Sequence, residues 1–270
     1  MATSGGFFNM ARLTIILPCY NFLPGYIRNI KNIAGQKKTH KDDFEIVVSD
    51  DSEGDEIFDH YMSHGSLSKN IRYYRGPRRG AVANWNKCLE YINSEYALFI
   101  HHDEYILSKN FLDNIMSIIR KEEFDLIILP LIKIKRGFSY KHYPSSLKWI
   151  FLRFPALLFG CNPFGSPSIL IFKTKAVEEF DVNLRWFVDL DWYYRMLKKK
   201  PRVKILSGKE YTIASDLDFT DTVTNRLKLD KVIPVEKKYL INKYNFSHSL
   251  FFEIPKILRI PVKILGKFRV

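Results

Sequence analysis

Cysteine is scarce in this chain, and its distribution excludes several classes of protein. The 270 residues include three cysteines, Cys19, Cys88 and Cys161. The long intervals between them fit neither a disulfide framework nor the paired spacing of a zinc site. We therefore expect three reduced thiols and a cytoplasmic location.

Long hydrophobic runs and glycine-rich phosphate loops are also missing. The longest stretch without charges, residues 154–172, contains three prolines and two glycines, too many helix breakers for a membrane-spanning helix. No signal peptide is expected, because the first apolar run is short and no basic segment precedes it. No G-x-G-x-x-G or G-x-x-x-x-G-K-[S/T] follows an apolar run, which argues against dinucleotide-dependent dehydrogenases and P-loop enzymes.

Acidic residues are outnumbered by basic ones. There are 42 lysines and arginines against 29 acids, a formal net charge of +13. Such an excess indicates an anionic partner, whether nucleic acid, a phosphorylated substrate or an anionic membrane surface. No nucleic-acid-binding motif accompanies the charge, so nucleic acid is the least expected of the three.

Short apolar runs are plentiful, and helical patterns separate them. Near-continuous apolar strands are typical of parallel sheets with both faces covered. Their alternation with helices predicts an α/β fold, a doubly wound, mixed but mainly parallel sheet flanked by helices. The predicted strands are "LTIIL" (13–17), "FEIVV" (44–48), "YALFI" (96–100), "DLIIL" (125–129) and "SILIF" (168–172).

Three predicted helices have apolar stripes at helical spacing. The first is marked by Ile27, Ile30 and Ile33, the second by Val82, Trp85 and Leu89, and the third runs from Phe111 to Ile119. Ser108 is expected to cap the third helix.

Polar residues follow three of the predicted strands. The first strand ends in "PCYN" (18–21), the second in "SDDS" (49–52) and a later one in "HHDE" (101–104). In open α/β sheets, ligands bind at the carboxyl ends of the strands. These three segments are therefore the candidate site.

In this order and spacing, the strand ends resemble those of glycosyltransferase family 2, inverting enzymes of the GT-A fold. The resemblance covers about residues 13–225: a strand ending Pro-x-Tyr-Asn, a strand ending Asp-Asp, and a glycine with an Asn-rich helix leading into "FIHHDE". Each motif is weak alone, and together they are specific.

The resemblance implies a site for a nucleotide-diphosphate sugar, a UDP-sugar first and a dTDP-sugar next. Tyr20 would stack on the base, and Asp51 would accept the N3–H of uracil or thymine. The alternatives are a packed strand-end aromatic and a turn or N-cap acid. The implied donor-binding residues are Pro18, Tyr20, Asn21, Asp51, Asn84, His101 and His102.

The family's metal-binding Asp-x-Asp is matched by His101-His102-Asp103, which departs from the pattern at its first acid. If the segment is extended, His101 and Asp103 share a face while His102 and Glu104 point away. Asp103 is then the metal ligand, and the cofactor is a divalent cation, Mn²⁺ or Mg²⁺, with imidazole favouring Mn²⁺. His101 either ligates that ion or hydrogen-bonds a ribose hydroxyl or the backbone.

The resemblance also places an acceptor site and a catalytic base in the second half. Asp189 aligns with the general base that deprotonates the acceptor hydroxyl, although an N-cap is the alternative role. Asp191 lies four residues before Arg195, a spacing that predicts a surface ion pair. The implied acceptor-side residues are Gly165, Ser166, Asp191 and Trp192.

The expected organisation has four parts. A flexible tail (1–11) precedes a nucleotide-sugar-binding half (12–105), an acceptor-binding half (106–225) and a basic C-terminal extension (226–270). That extension mixes Lys and Arg with Phe, Ile and Leu, which suits an anionic bilayer, and a helix hairpin packed on the catalytic domain is the alternative.

The function implied is transfer of a sugar to a hydroxyl of a lipid-linked surface glycan, such as lipopolysaccharide or capsule. The enzyme would lie peripherally on the inner face of the cell membrane. Two other functions stay open: a non-catalytic GT-A-fold binding protein, and a sugar-phosphate nucleotidyltransferase. The latter usually has a glycine-rich loop after its first strand, which "PCYNFLPGY" lacks.

Overall fold

The computed structural model describes residues 11–37, 43–64, 70–219 and 226–246, and its centre is a seven-stranded sheet. The strand order is β10-β6-β9-β4-β1-β2-β3. The strands are β1 (Leu13–Cys19), β2 (Phe44–Asp50), β3 (Ile71–Arg75), β4 (Tyr96–Phe99), β6 (Leu126–Ile128), β9 (Leu170–Lys173) and β10 (Val203–Ile205).

The central strands form because they are almost wholly apolar. Every residue of β1 and β4 is buried, as parallel strands covered on both faces require. Strand β1 pairs in parallel with β2, from Leu13 opposite Phe44, and with β4 on its other side. Strand β9 runs antiparallel to β4 and β6. The predicted mixed, mainly parallel α/β sheet is confirmed.

A second sheet of four strands has the order β5-β11-β7-β8. It consists of β5 (Glu104–Ile106), β7 (Leu131–Lys135), β8 (Phe138–Lys141) and β11 (Ile213–Asp216). Because β5 follows β4 after a turn at residues 101–103, the end of the central strand lies between the two sheets.

Seven α-helices lie within the described part of the chain, and the three predicted from apolar periodicity are among them. They are α1 (Leu23–Ala34), α2 (Glu56–His64), α3 (Ala81–Glu90), α4 (Phe111–Lys121), α5 (Ser145–Arg153), α6 (Val188–Lys198) and α7 (Leu229–Tyr244). None of the described helices is long and apolar enough to cross a bilayer.

The predicted cap of α4 was wrong. Ser108 lies two residues before the N-cap, Asn110, and its hydroxyl accepts the Asn110 N–H at 3.2 Å. The Leu112 N–H in the first turn is satisfied from another element, by the side-chain carbonyl of Gln36 at 3.1 Å. A long-range partner therefore replaces the local cap.

The described part of the C-terminal extension is a packed helix. Leu240 of α7 is fully buried in the core, and Tyr244 and Phe246 contact Phe159 through their rings. For residues 229–244 the packed alternative is therefore the one observed. Residues 247–270, with the rest of the predicted basic membrane segment, and the predicted tail at residues 1–10 lie outside the described residues.

Candidate active site

A cavity of about 1220 Å³ runs along the carboxyl ends of the central strands and continues between the second sheet and α6. Most of the residues predicted from the sequence line it, although they come from both halves of the chain. Those residues are Pro18, Tyr20, Asp51, Asn84, His101, His102, Asp103, Gly165, Ser166 and Asp189.

At the end of the cavity where the sequence predicts a nucleotide, Asp51 is held by the loop before α3. Its Oδ1 accepts the Arg78 N–H. A second backbone N–H, from Gly80, also points to this carboxylate, and burial raises the pKa of Asp51. The loop approaches so closely that a Cβ on Gly76 would lie 2.6 Å from Asp51 Oδ1. The carboxylate is thus immobile and keeps lone pairs directed at the cavity.

Tyr20 lies beside this carboxylate with its ring against the cavity. Its hydroxyl donates to Glu53 at 3.0 Å, and the Arg226 guanidinium lies 4.7 Å from the ring centroid. A flat cation therefore stacks where the sequence predicted a base to stack.

Asn21 and Asn84 have bracing contacts. Asn21, at φ 46°, accepts the Glu53 N–H through its side chain at 3.0 Å and joins the loops after β1 and β2. It does not line the cavity. Asn84 lines the cavity, but its amide exchanges two hydrogen bonds with Ser49, at 2.6 and 3.1 Å. Both residues support the β2 edge, and their donor-binding role stays a prediction.

The segment after β4 is a turn, which corrects the extended geometry assumed from the sequence. The Glu104 N–H donates to the His101 carbonyl at 3.0 Å. This i to i+3 bond brings Glu104 onto the same side as His101, with Glu104 Oε2 at 3.2 Å from His101 Nδ1. Glu104 was expected to point away, and it belongs to the site.

The turn gathers a group of possible metal ligands. One ligand atom each from His101, Asp103 and Glu104 lies within 4.8 Å of the other two. Glu104 is already held by the hydroxyls of Ser166 and Ser168, so it acts best as a support for His101.

His101 and Asp103 fit a divalent cation. The Nδ1 of His101 faces Glu104, and its Nε2 is buried with no hydrogen-bond partner among the described residues. A carboxylate on one ring nitrogen and an open second nitrogen is the usual arrangement of a ligating histidine. Burial and the charge of Glu104 raise the pKa of Asp103 to about 6, a shift that a nearby positive charge would oppose.

His102 occupies the opposite side of the turn. Its ring packs edge-on against Phe22, with centroids 5.7 Å apart, and against Phe219 at 5.3 Å. It lines the cavity as predicted, through an aromatic cluster.

Helix α1 holds the backbone of this turn, a feature that sequence analysis missed. Arg28 donates to the His102 carbonyl at 3.1 Å, and Asn29 donates to the His101 carbonyl at 3.2 Å. A Cβ on Gly25 would lie only 2.2 Å from the His102 oxygen. The sequence did contain a signal for this contact. Residues 25, 28 and 29 have the spacing i, i+3 and i+4, so they form one helix face opposite the apolar stripe, and this face could have been predicted to contact a polar segment.

Asp189 is at the second position of α6 and reaches the cavity from the side opposite the nucleotide end. Its Oδ1 is buried without a hydrogen-bond partner among the described residues. Burial raises the pKa of Asp189 to about 7, with His101 lowering it and Glu104 raising it further. A carboxylate with such a pKa is suited to accept a proton near neutral pH.

Asp189 is not the cap of its helix, because the N-cap is Phe187, and Glu236 of α7 binds the backbone just before the helix. The Glu236 carboxylate accepts the N–H groups of Arg185, Trp186 and Phe187 at 2.7, 3.0 and 3.0 Å. An anion at these amides stabilises the N-terminus of α6. Glu236 of α7 thereby holds the backbone segment that leads into Asp189.

Two of the predicted acceptor-side residues lie elsewhere. Asp191 is fully buried and binds Arg195 and Lys243, both at 2.8 Å, so the expected surface pair is an internal one. Trp192 is fully buried and stacks on Phe180 at 4.5 Å. Val188, Asp189 and Leu190 at the start of α6 line the cavity, whereas Asp191 and Trp192 do not, because a helix turns by about 100° per residue.

The Gly165-Ser166 pair is present at the cavity wall. Gly165 has φ 96°, and a Cβ there would lie 2.5 Å from a methyl of Leu131, so glycine is required twice over. Ser166 donates to Glu104 and thereby connects the second half of the chain to the turn at residues 101–104. This turn carries the candidate metal ligands and is called the metal turn below.

Fold and site together define a class of protein. A family model described as glycosyl transferase family 2 matches residues 14–180, more than half of the chain. The chain therefore belongs to glycosyl transferase family 2, a family of glycosyltransferases, and the sheet with its strand-end site is the GT-A fold.

Two curated proteins of known activity are similar in sequence to this chain. The poly(ribitol-phosphate) β-N-acetylglucosaminyltransferase TarS of Staphylococcus aureus (strain Mu50) is 22% identical over 214 residues, 76% of this chain. The chain spans only 36% of that relative's length. The processive diacylglycerol β-glycosyltransferase of Mycoplasma genitalium is 23% identical over 262 residues, covering 89% of this chain and 75% of the relative.

Solved structures share the fold. S. aureus TarS 1–349 in complex with UDP-GlcNAc gives a TM-score of 0.65 at 19% identity, covering 86% of this chain and 67% of that one. The mannosyltransferase PcManGT from Pyrobaculum calidifontis, in complex with GDP-Man and Mn²⁺, gives 0.56 at 16% identity, covering 76% and 57%.

Proposed function

We propose that this chain transfers a sugar from a nucleotide-diphosphate donor to a hydroxyl group, with inversion at the anomeric carbon. The observation that carries the proposal is Asp189, whose unpartnered Oδ1 shares one cavity with the turn that bears His101 and Asp103. Inversion needs a single base on the face of the sugar opposite the leaving group.

A UDP-sugar is the favoured donor, and a dTDP-sugar is next. Asp51 is held rigidly enough to accept the N3–H of either pyrimidine, and Tyr20 offers a ring for stacking. The structural relative TarS 1–349 is described in complex with UDP-GlcNAc, which supports the same choice here.

A divalent cation, Mn²⁺ ahead of Mg²⁺, would be held by Asp103 and His101. It would supply positive charge to the departing diphosphate. Glu104 keeps the His101 ring oriented, and α1 keeps the turn in place. The mixed imidazole and carboxylate set favours Mn²⁺.

In the proposed transfer step one proton moves, one bond forms and one bond breaks. As the acceptor oxygen attacks the anomeric carbon, its proton passes to Asp189 and the bond from that carbon to the diphosphate oxygen breaks. The electron pair leaves with the diphosphate. A base contributes typically about 10²–10⁴-fold to such a rate.

The acceptor we propose is part of a bacterial surface glycan assembled on a lipid carrier, as in capsule, lipopolysaccharide or cell-wall polymers. The curated relatives act, by name, on a poly(ribitol phosphate) and on a diacylglycerol. The enzyme would lie peripherally on the inner face of the membrane. Exposed Trp149 and Phe154, on and just after α5, support such contact.

The two other functions are separated by one set of assays. A sugar-phosphate nucleotidyltransferase would form a nucleotide sugar from a nucleoside triphosphate, and a binding protein would leave the donor intact. We expect slow hydrolysis of a UDP-sugar in Mn²⁺ without an acceptor, and no nucleotidyl transfer.

The decisive experiment replaces Asp189 with Asn. Donor hydrolysis and sugar transfer should fall by roughly 10²–10⁴-fold, while UDP affinity stays within about twofold because Tyr20, Asp51 and Asp103 are unchanged. Near-normal turnover of Asp189→Asn would show that another group is the base. Loss of UDP binding would show that the variant is disturbed beyond its base.

A further inference from the structure

The acceptor end of the cavity is lined by cations. Strand β7 presents Leu131, Lys133 and Lys135 to the cavity, because residues at i, i+2 and i+4 share one face of a strand. Across the cavity lie Arg185, just before α6, and Lys237 of α7. Four cationic side chains thus surround the space reached by Asp189.

Three of these cations are not neutralised inside the protein. Among the described residues, Lys133, Lys135 and Arg185 have no ion pair. The acids nearest to them along the wall are already engaged: Glu104 by His101 and two serines, and Asp216 by Arg28 at 3.4 Å.

Burial makes one of these lysines costly unless a ligand compensates it. Lys133 is largely enclosed, and burial lowers its pKa while the charge of Glu104 opposes that shift. An enclosed ammonium without an ion pair weakens the fold. An anion arriving in the cavity would remove this cost.

The backbone of Lys133 lies two strands away from the turn that carries His101 and Asp103. In the second sheet, Glu104 of β5 is opposite Ser215 of β11, which is opposite Lys133 of β7. Two strand spacings, roughly 10 Å in all, therefore lie between the metal turn and the Lys133 backbone. Lys135 lies two residues further along the strand, away from that row.

We propose that the acceptor is anionic and carries phosphate, and that Lys133, Lys135 and Arg185 recognise it beside Asp189. This proposal rests on the glycosyltransferase function proposed above and names the class of acceptor for the same site. A phosphate next to the acceptor hydroxyl would be held by charge-assisted hydrogen bonds, which fix the hydroxyl against the base.

The test measures binding of defined probes to the full chain in the presence of UDP and Mn²⁺. A glycerol phosphate hexamer represents a phosphodiester chain, farnesyl diphosphate represents a lipid carrier, and maltohexaose is the neutral control. We expect at least one phosphate probe to bind roughly tenfold or more tightly than maltohexaose, and to weaken with salt. Which of the two binds identifies the source of the phosphate.

The variant Lys133→Gln/Lys135→Gln should weaken phosphate-probe binding roughly tenfold or more, with UDP affinity within twofold. Lys121→Gln/Lys175→Gln removes the same charge from exposed positions outside the cavity and should leave probe binding unchanged. If the first variant folds poorly, Lys135→Gln/Arg185→Gln, at two exposed positions, makes the same test.

Three results would overturn the proposal: equal binding of maltohexaose and the phosphate probes, an equal loss in the control variant, or a parallel loss of UDP affinity. The last would assign the lysines to the donor. A wild-type chain that binds no UDP at all would instead overturn the proposed function.

Discussion

Asp189, the proposed base, also carries an energetic cost that can be measured. Its carboxyl keeps a proton up to about pH 7 in the folded chain, whereas in the unfolded chain it loses that proton near pH 4. Between these values the folded state binds more protons, so this group makes stability fall as pH rises.

Replacing Asp189 with Asn should therefore change stability in a pH-dependent way. Below pH 4 the two proteins should unfold alike. Above pH 7 the Asn variant should be more stable, by at most about 4 kcal/mol, and by less where cavity water reaches the other carboxylate oxygen. Urea unfolding of both proteins in EDTA from pH 4 to 8 measures the difference. A constant difference across that range would contradict the raised pKa.

Replacing Asp191, two residues along, with Asn should lower the stability of the protein instead of raising it. Because it holds Arg195 and Lys243 in the interior, Asp191→Asn leaves these cations partly unpaired and should cost roughly 3 kcal/mol of stability. Glu122→Gln, which breaks an exposed pair with Arg202, should cost less than about 1 kcal/mol. Thermal unfolding compares them. If the folded Asp191→Asn protein also loses most of its turnover, Asp191 has a catalytic role beyond stability.

At the scale of elements, α1 supports the turn at residues 101–104, which carries the proposed metal ligands. It contributes the two side-chain donors that bind the carbonyls of His101 and His102. No residue of α1 belongs to the candidate ligand group of His101, Asp103 and Glu104, yet the helix holds the backbone of the turn that carries this group. Supports of this kind affect metal affinity almost as much as the ligands do.

Gly25→Ala tests this support directly. The new methyl would lie 2.2 Å from the His102 carbonyl, so the turn or the helix must move. We expect the Mn²⁺-dependent part of UDP affinity to fall roughly 10- to 100-fold, as it would in Asp103→Ala. In the control Gly54→Ala, the added atom meets nothing nearer than 3.6 Å. Unchanged Mn²⁺ dependence in Gly25→Ala would mean that α1 does not position the turn.

Helix α7 has a similar role at the other wall. The Glu236 carboxylate accepts backbone N–H groups just before α6, and Lys243 forms an ion pair with Asp191 of α6. Residues 229–244 are thus packed on the segment that carries Asp189, and a truncation before α7 would remove the Glu236 carboxylate that holds the start of that segment.

At the scale of the whole molecule, the net charge of +13 is joined to an exposed apolar surface. Trp149, Ile150 and Phe154 are 57%, 42% and 56% exposed, and the Arg153 guanidinium lies 5.3 Å from the Phe154 ring. Aromatic side chains beside a cation suit the interface of an anionic bilayer.

Trp149→Ser/Phe154→Ser should weaken co-sedimentation with vesicles of phosphatidylglycerol while donor hydrolysis persists. The matched control, Met62→Ser/Val182→Ser, removes two equally exposed apolar side chains elsewhere. We expect a several-fold difference between the two variants. Equal vesicle binding of both would show that this surface is not the membrane contact.

The sequence by itself determined the sheet and the location of the site. Apolar runs of four to seven residues have few ways to be buried, so β1, β2, β4, β6 and β9 could be predicted from local pattern, and polar strand ends then had to meet at one edge. Tyr20, Asp51 and Asp103 were located in this way, with the family resemblance supplying their expected roles, whereas Asp189, at a helix start, was predicted from the resemblance alone.

Only the tertiary structure decided which neighbours complete the site. Glu104 joins His101 because the segment turns where an extended chain was assumed, and Asp191 is buried because α7 covers it. Glu236 reaches the start of α6 across 49 residues, and Lys133 faces Glu104 through an intervening strand. Such contacts depend on register and packing between distant segments, which periodicity along the chain does not encode.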